Sequence, residues 1–135
     1  MTELVSAQDE KKLLKKFIDY YRKLYPEIGF GTEQRDLGRE EIGEIIYTYP
    51  GVEIEATADL KTRRISTALK HGYSTPIIVM AKAGKMILLD GHRRVRVAFH
   101  NGLGWKAYFI IPEKEEAFGI EKMAKGKVKD LFGKQ

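Results

Sequence analysis

Hydrophobic residues recur at helical spacing in the first part of the chain. They lie three and four residues apart, with lysines and arginines between them, at Leu13, Leu14, Phe17, Ile18, Tyr21 and Leu24. This period predicts one amphipathic helix from about Gln8 to Leu24, which Pro26 ends. A second, shorter helix is predicted over about Arg39 to Thr48, after a loop that contains several glycines.

The middle of the chain has a different pattern. Two short apolar runs, Ile77 to Ala81 and Met86 to Leu89, flank a turn-like segment that contains Gly84, and this arrangement predicts a β-hairpin. Another helix is predicted from about His92 to His100, ended by Asn101-Gly102. The sequence therefore predicts strand, turn, strand, tight turn and helix in succession.

The remaining elements complete a single predicted domain. Val52 to Ala56 is predicted as a first strand, a helix is predicted over 60–71, and a last helix over about Ile120 to Phe132. No internal repeat or linker divides the 135 residues. We expect one α/β (α+β) domain, 1–135, with a small mixed β-sheet flanked by helices. Its parts are an N-terminal helical extension (about 8–50), a core (about 52–111) and a C-terminal helix (about 120–132).

Composition limits the partners, the cysteine-based sites and the cellular locations that the sequence predicts. Lysine and arginine exceed aspartate and glutamate by five charges, which favours anionic partners without selecting among nucleotide, nucleic acid and acidic protein. The absence of cysteine excludes disulfides and thiolate zinc sites. No stretch approaches the ~20 apolar residues that span a bilayer, and no signal-peptide core is present, so a cytoplasmic location without a membrane partner is predicted.

The candidate chemistry lies at Asp90-Gly91-His92-Arg93-Arg94, where the hairpin meets the next helix. Basic side chains in the first turn of a helix oppose the helix dipole, whose N-terminal end is already positive. A phosphate would offset this cost by accepting hydrogen bonds from N–H groups and pairing with arginines. Asp90 is expected to cap the helix, to hold Mg²⁺ beside a phosphate, or to do both. The alternative is that the arginines are solvated surface residues.

Three segments also carry a resemblance to a known family. They are Thr75-Pro-Ile-Ile-Val79, Ile87–Ala98 and Gly104–Ile111. Together they resemble the ParB/sulfiredoxin superfamily of nucleotide-binding domains, over roughly Val52 to Ile111. The most specific part is the box from Asp90 to Arg93. At this position partition proteins have Gly-Glu-Arg-Arg and sulfiredoxins have Gly-Cys-His-Arg. The box here is most similar to the Asp-Gly-His-His-Arg-like box of archaeal free-serine kinases.

The resemblance implies roles for particular residues. The family's loop wraps nucleotide phosphates, so Gly91, His92, Arg93 and Arg94 are the candidate phosphate contacts. Polar residues of the preceding helix are implied as further nucleotide contacts, and Arg64 and Thr67 are the candidates for them. The free-serine kinases have a glutamate base upstream of that helix; Glu55 and Glu53 lie in a comparable stretch, and Glu55 is the candidate base. If a phosphoryl group is transferred, Asp90 with Mg²⁺ and His92 are the further candidate catalytic residues.

Two functions from different classes remain open. The leading hypothesis is an enzyme dependent on ATP or ADP, either an ATPase or a kinase for a small hydroxyl-bearing compound. The competing hypothesis is a non-catalytic DNA-binding module, in which Arg93, Arg94, Arg96 and the basic N-terminal helix contact nucleic acid phosphates. Sulfiredoxin activity is excluded because the chain has no cysteine nucleophile. A nuclease is disfavoured because clustered acidic residues for two metals are not evident.

Overall fold

A six-stranded mixed sheet organises the chain. The computed structural model describes residues 6–48, 65, 67, 75–82, 84–114, 120–124 and 126–131. The strands are β1 (Phe30–Leu37), β2 (Ile46–Tyr47), β3 (Ile77–Lys82), β4 (Lys85–Asp90), β5 (Trp105–Pro112) and β6 (Gly126–Lys127). Their order across the sheet is β1-β5-β3-β4-β2-β6. Pairs β2–β4 and β3–β5 are parallel, and the other pairs are antiparallel. The predicted α/β class is confirmed.

Helices cover both faces of this sheet. The described α-helices are α1 (Ala7–Leu24), α2 (Arg39–Gly43) and α3 (His92–His100), and two 3₁₀ turns follow at Ile120–Met123 and Val128–Leu131. Side chains of a strand alternate between faces. Ile77 and Val79 of β3 therefore pack with α2 and α3, whereas Ile78 and Met80 pack with α1. None of the helices described is long and apolar enough to cross a membrane.

The hairpin and the helix after it match their predicted positions. Strands β3 and β4 pair antiparallel from Lys82 and Lys85 at the turn to Ile78 and Asp90, with an irregularity between Ile78 and Val79. Helix α3 then runs over the nine residues from His92 to His100. The local sequence pattern was therefore enough to predict the position of the junction between β4 and α3, where the candidate site residues lie.

Three other predictions are wrong. The segment after α1, expected to be a loop, forms the eight-residue strand β1 by pairing with β5 along its whole length. Helix α2 ends at Gly43 and not at Thr48, because Ile46 and Tyr47 pair with neighbouring strands. The C-terminal segment forms two 3₁₀ turns around β6 in place of one helix.

Two predicted elements fall largely outside the described residues. The strand expected at 52–56 lies outside them entirely. Within the helix expected over 60–71, Ile65 and Thr67 are described, and both are helical. Ile65 is buried in the core between the sheet and α3, and Thr67 is exposed.

Candidate anion-binding site

Helix α3 begins directly after strand β4, at a glycine. Gly91 is the N-cap and has φ 108°, in the left-handed region that favours glycine. A Cβ atom at this position would lie 2.5 Å from Cγ2 of Ile77. The first helical hydrogen bond runs from the Val95 N–H to the Gly91 carbonyl at 3.0 Å. The backbone N–H groups of residues 92–94 therefore have no acceptor within the helix.

The start of α3 differs from the starts of the other two described helices. The Ser6 hydroxyl accepts a hydrogen bond from a first-turn N–H of α1, and the Glu41 carboxylate accepts one from the N-cap N–H of α2. At α3, Gly91 provides no capping side chain, and the described first turn contains no acidic residue. The predicted Asp90 cap is wrong, because the Asp90 carboxylate instead accepts a hydrogen bond from Arg94. The first turn of α3 itself supplies only basic side chains.

Arg94 is buried, whereas the sequence predicted that it would contact a phosphate. Its side chain is 5% exposed. Nη1 donates to the carbonyl oxygens of Pro76 at 2.7 Å and Thr75 at 3.3 Å. Nη2 lies 2.7 Å from Oδ2 of Asp90 and 3.2 Å from Oε2 of Glu10. The guanidinium is thus enclosed by protein acceptors, and Arg94 supports the junction from within instead of facing a phosphate.

The third member of this buried cluster is Glu10 of α1, which the sequence did not single out. Its side chain is fully buried. Burial and the hydrogen bond with Asp90 together raise the pKa of Glu10 to about 8, against the opposing effect of the positive charge of Arg94. Glu10 is therefore protonated at neutral pH. The Glu10–Asp90–Arg94 cluster then balances one guanidinium with one carboxylate, that of Asp90.

This cluster argues against the predicted Mg²⁺ ligand. Oδ2 of Asp90 is held by the Arg94 guanidinium, and a cation there would compete with an arginine already in place. Among the residues that the structure describes, no group of three His, Asp or Glu side chains could hold a metal ion. A Mg²⁺ ion at Asp90 would have to share this carboxylate with Arg94, and the role of Asp90 as a Mg²⁺ ligand stays a prediction.

His92 is neutral at physiological pH. Burial and the positive charges of Arg96 and Arg94 together lower its pKa to about 4, against the opposing effect of Asp90. The charge predicted for the first turn therefore comes from arginine and not from histidine. Any contact of the His92 ring with a ligand would be that of a neutral donor or acceptor.

Thr48 is a second residue that the sequence did not reveal. Its buried hydroxyl donates a hydrogen bond to the Leu88 carbonyl at 3.0 Å, and Oγ1 also lies 3.5 Å from Nε2 of His92. A hydroxyl has one hydrogen, which is already directed to Leu88. In this contact Thr48 must accept and His92 must donate. We therefore expect the proton of the neutral His92 ring on Nε2.

Of the remaining candidate residues, the structure describes Arg93 and Thr67. Arg93 is half-buried on the first turn of α3, adjacent in sequence to His92. Thr67 is exposed, in a helical conformation. Arg64 and Glu55 lie outside the residues that the structure describes. The junction thus brings together Gly91, His92 and Arg93.

The comparisons with known proteins found likenesses to solved structures but no match by sequence. No family model matches the chain, and no curated protein matches it. The crystal structure of the C-terminally truncated chromosome-partitioning protein ParB from Caulobacter crescentus, complexed with CTP-γ-S, is similar with a TM-score of 0.41 and 19% sequence identity. The match covers 73% of this chain and 49% of that chain, so this chain spans about half the length of the ParB chain. A likeness at this identity and TM-score carries no argument about what this chain binds or does.

Proposed function

We propose that this chain binds the phosphates of a nucleotide at the start of α3. One observation carries the proposal: the helix begins at a left-handed glycine, and its described first turn has basic but no acidic residues. The positive end of the helix and the arginine charge add to one another. An anion is the partner that stabilises both, since it accepts hydrogen bonds from the N–H groups and pairs with the guanidinium.

The proposed phosphate contacts are the backbone N–H groups of His92 and Arg93 and the side chain of Arg93. Gly91 contributes the left-handed turn of the backbone, where a Cβ would clash with Ile77 inside the protein. Arg94 holds the junction in place from the interior. Arg64 and Thr67 remain proposed contacts of the nucleotide from the preceding segment, as the resemblance implies. A purine nucleotide, ATP or ADP, is the proposed ligand.

Phosphoryl transfer is the further step of this proposal. The γ-phosphoryl group of ATP would pass to water or to the hydroxyl of a small compound, with ADP as the leaving group. Glu55 is the proposed base that takes the proton of the attacking hydroxyl. Catalysis would then depend on positioning and on charge neutralisation by Arg93 and the helix start. Glu55→Gln should abolish release of labelled phosphate without changing nucleotide affinity.

Calorimetric titration tests the binding step directly. The wild-type chain should bind at least one of ATP, ADP and CTP, measured with and without Mg²⁺. Arg93→Ala should weaken that binding about tenfold or more, because a charge-assisted contact is lost. Lys106→Ala is the matched control, since it removes one positive charge from an exposed position on β5. Absence of binding to all three nucleotides would refute the proposal, and so would equal effects of the two variants.

A second candidate function is favoured by the exposed face of α1. Lys11, Lys12, Lys15 and Lys16 are all exposed on that helix. Such a face can neutralise the phosphates of duplex DNA, with an affinity that falls steeply as salt rises. Fluorescence anisotropy with labelled duplex at low and high salt distinguishes the two functions. Salt-sensitive DNA binding that Lys12→Glu weakens, together with no nucleotide binding, would favour the DNA-binding module.

A further inference from the structure

Strand β1 forms a long open edge of the sheet. It stands first in the strand order, and among the residues described it pairs with β5 alone. Six consecutive residues of β1, from Gly31 to Asp36, are exposed, so side chains on both faces reach solvent. The opposite edge is β6, which is two residues long. Short edge strands are a common protection against pairing with another chain, and β1 lacks that protection.

The charged residues of β1 would not prevent it from pairing with β1 of a second copy of the chain. Glu33 and Arg35 lie on one face of the strand, joined by an ion pair of 2.9 Å, and each side chain is 47% exposed. The Arg35 guanidinium also lies 4.7 Å from the ring centroid of Phe109, which helps to hold it on that face. A row of like charges would repel an identical strand, whereas here the signs differ on either side of Gln34.

Antiparallel pairing reverses the order of residues in the second copy. If the pairing is centred on Gln34, Glu33 lies opposite Arg35 of the second copy, and Thr32 lies opposite Asp36. The two-fold axis repeats both contacts, so each charged residue of the exposed run faces an opposite charge or a hydroxyl. Directly opposed residues of complementary charge stabilise paired strands.

We propose that β1 pairs antiparallel with β1 of a second copy of this chain, with Gln34 on the two-fold axis. The contact is isologous and joins the two sheets edge to edge. The outward N–H and C=O groups of both strands supply the hydrogen bonds, and the Glu33–Arg35 pairs set the register. One pair of strands buries less surface than a stable dimer interface needs. The dimer is therefore weak and depends on concentration.

Sedimentation equilibrium over a series from micromolar to millimolar protein tests this pairing. Gln34→Lys places two lysines opposite each other on the axis and should weaken self-association about threefold or more. Thr32→Lys adds the same charge on the same face, two residues away. In the proposed register that lysine lies opposite Asp36 of the second copy, so self-association should be unchanged or stronger.

A charge exchange gives an independent check of the register. Glu33→Arg alone should weaken the dimer, because the introduced guanidinium would then oppose Arg35 of the second copy. Adding Arg35→Glu should restore it, since the opposed charges are again unlike. A chain that remains monomeric throughout the series would overturn the proposal. So would a dimer that Gln34→Lys and Thr32→Lys weaken equally, because net charge and not register would then be the cause.

Discussion

Arg94 on helix α3 donates hydrogen bonds to both carboxyl oxygens of Glu10 on helix α1, at 3.3 and 3.2 Å, across 84 residues of sequence. The same guanidinium contacts Asp90 at the end of β4 and the two carbonyls just before β3, those of Thr75 and Pro76. One side chain therefore joins the N-terminal helix, the hairpin and the helix that begins at the candidate anion site. The N-terminal helix is part of the framework of that site, although the resemblance did not include it.

The first prediction concerns this connection. Arg94→Ala should lower the free energy of unfolding by about 3–5 kcal/mol, because it leaves buried carboxyl and carbonyl groups without their donor. Urea denaturation followed by circular dichroism measures the change. Arg96→Ala, two residues along the same helix, is the control and should cost much less. Equal losses for the two variants would mean that the buried cluster has no special contribution to stability.

The second prediction is a pH dependence set by Glu10. Its pKa is raised from 4.5 to about 8 in the folded protein, so the folded state holds the proton more tightly than the unfolded chain. The stabilisation is complete below about pH 4.5 and is lost as pH rises toward 8. His92, with a pKa lowered from 6.5 to about 4, produces the opposite slope below pH 6.5. Between about pH 6.5 and 8 the His92 effect has ended while the Glu10 effect continues, so stability should fall.

Glu10→Gln isolates this effect. Glutamine has the shape of a protonated glutamate and cannot ionise, so the variant should lose the decline in stability between about pH 6.5 and 8. Thermal unfolding at a series of pH values within that range measures both slopes. A variant whose melting temperature falls as steeply as that of the wild type would show that another group is responsible.

The sequence predicted the elements that depend on local patterns and missed the strands that depend on long-range pairing. Helix α1, the β3–β4 hairpin and helix α3 were predicted because their patterns are local. Strand β1 was missed because six exposed residues in succession show no alternation, and its pairing partner β5 is about 75 residues away. Strands β2 and β6, of two residues each, exist only through long-range pairing.

In the candidate site, the features set by local sequence were predicted, and those set by distant residues were not. The glycine at the junction and the basic first turn of α3 are local features that spacing reveals. The Asp90–Arg94 pair has helical spacing of four residues and was available from the sequence in principle. Glu10 and Thr48 were not, since each meets the site through a contact of more than 40 residues in separation. The burial of Arg94, and hence its changed role, follows from those distant partners.

The third prediction compares two glycines with positive φ. Gly91 has φ 108°, and an added Cβ would lie 2.5 Å from Ile77, whereas Gly84 has φ 74° and nothing within 4 Å. Gly84→Ala should cost about 1 kcal/mol through backbone strain alone. Gly91→Ala should cost at least about 2 kcal/mol more, because the clash adds to strain. Urea denaturation gives both values, and equal losses would show that Ile77 yields without cost.

The fourth prediction concerns the His92 ring. Because the Thr48 hydroxyl donates its one hydrogen to Leu88, the neutral ring should carry its proton on Nε2 at pH 7. Nitrogen-15 chemical shifts of the two ring nitrogens distinguish this tautomer from the other, and their titration should give a pKa near 4. Thr48→Val keeps the shape of the side chain but removes the acceptor, so the proton should redistribute toward Nδ1. An unchanged tautomer in Thr48→Val, or a His92 pKa near 6.5, would contradict the arrangement, whether or not a nucleotide binds at the neighbouring helix start.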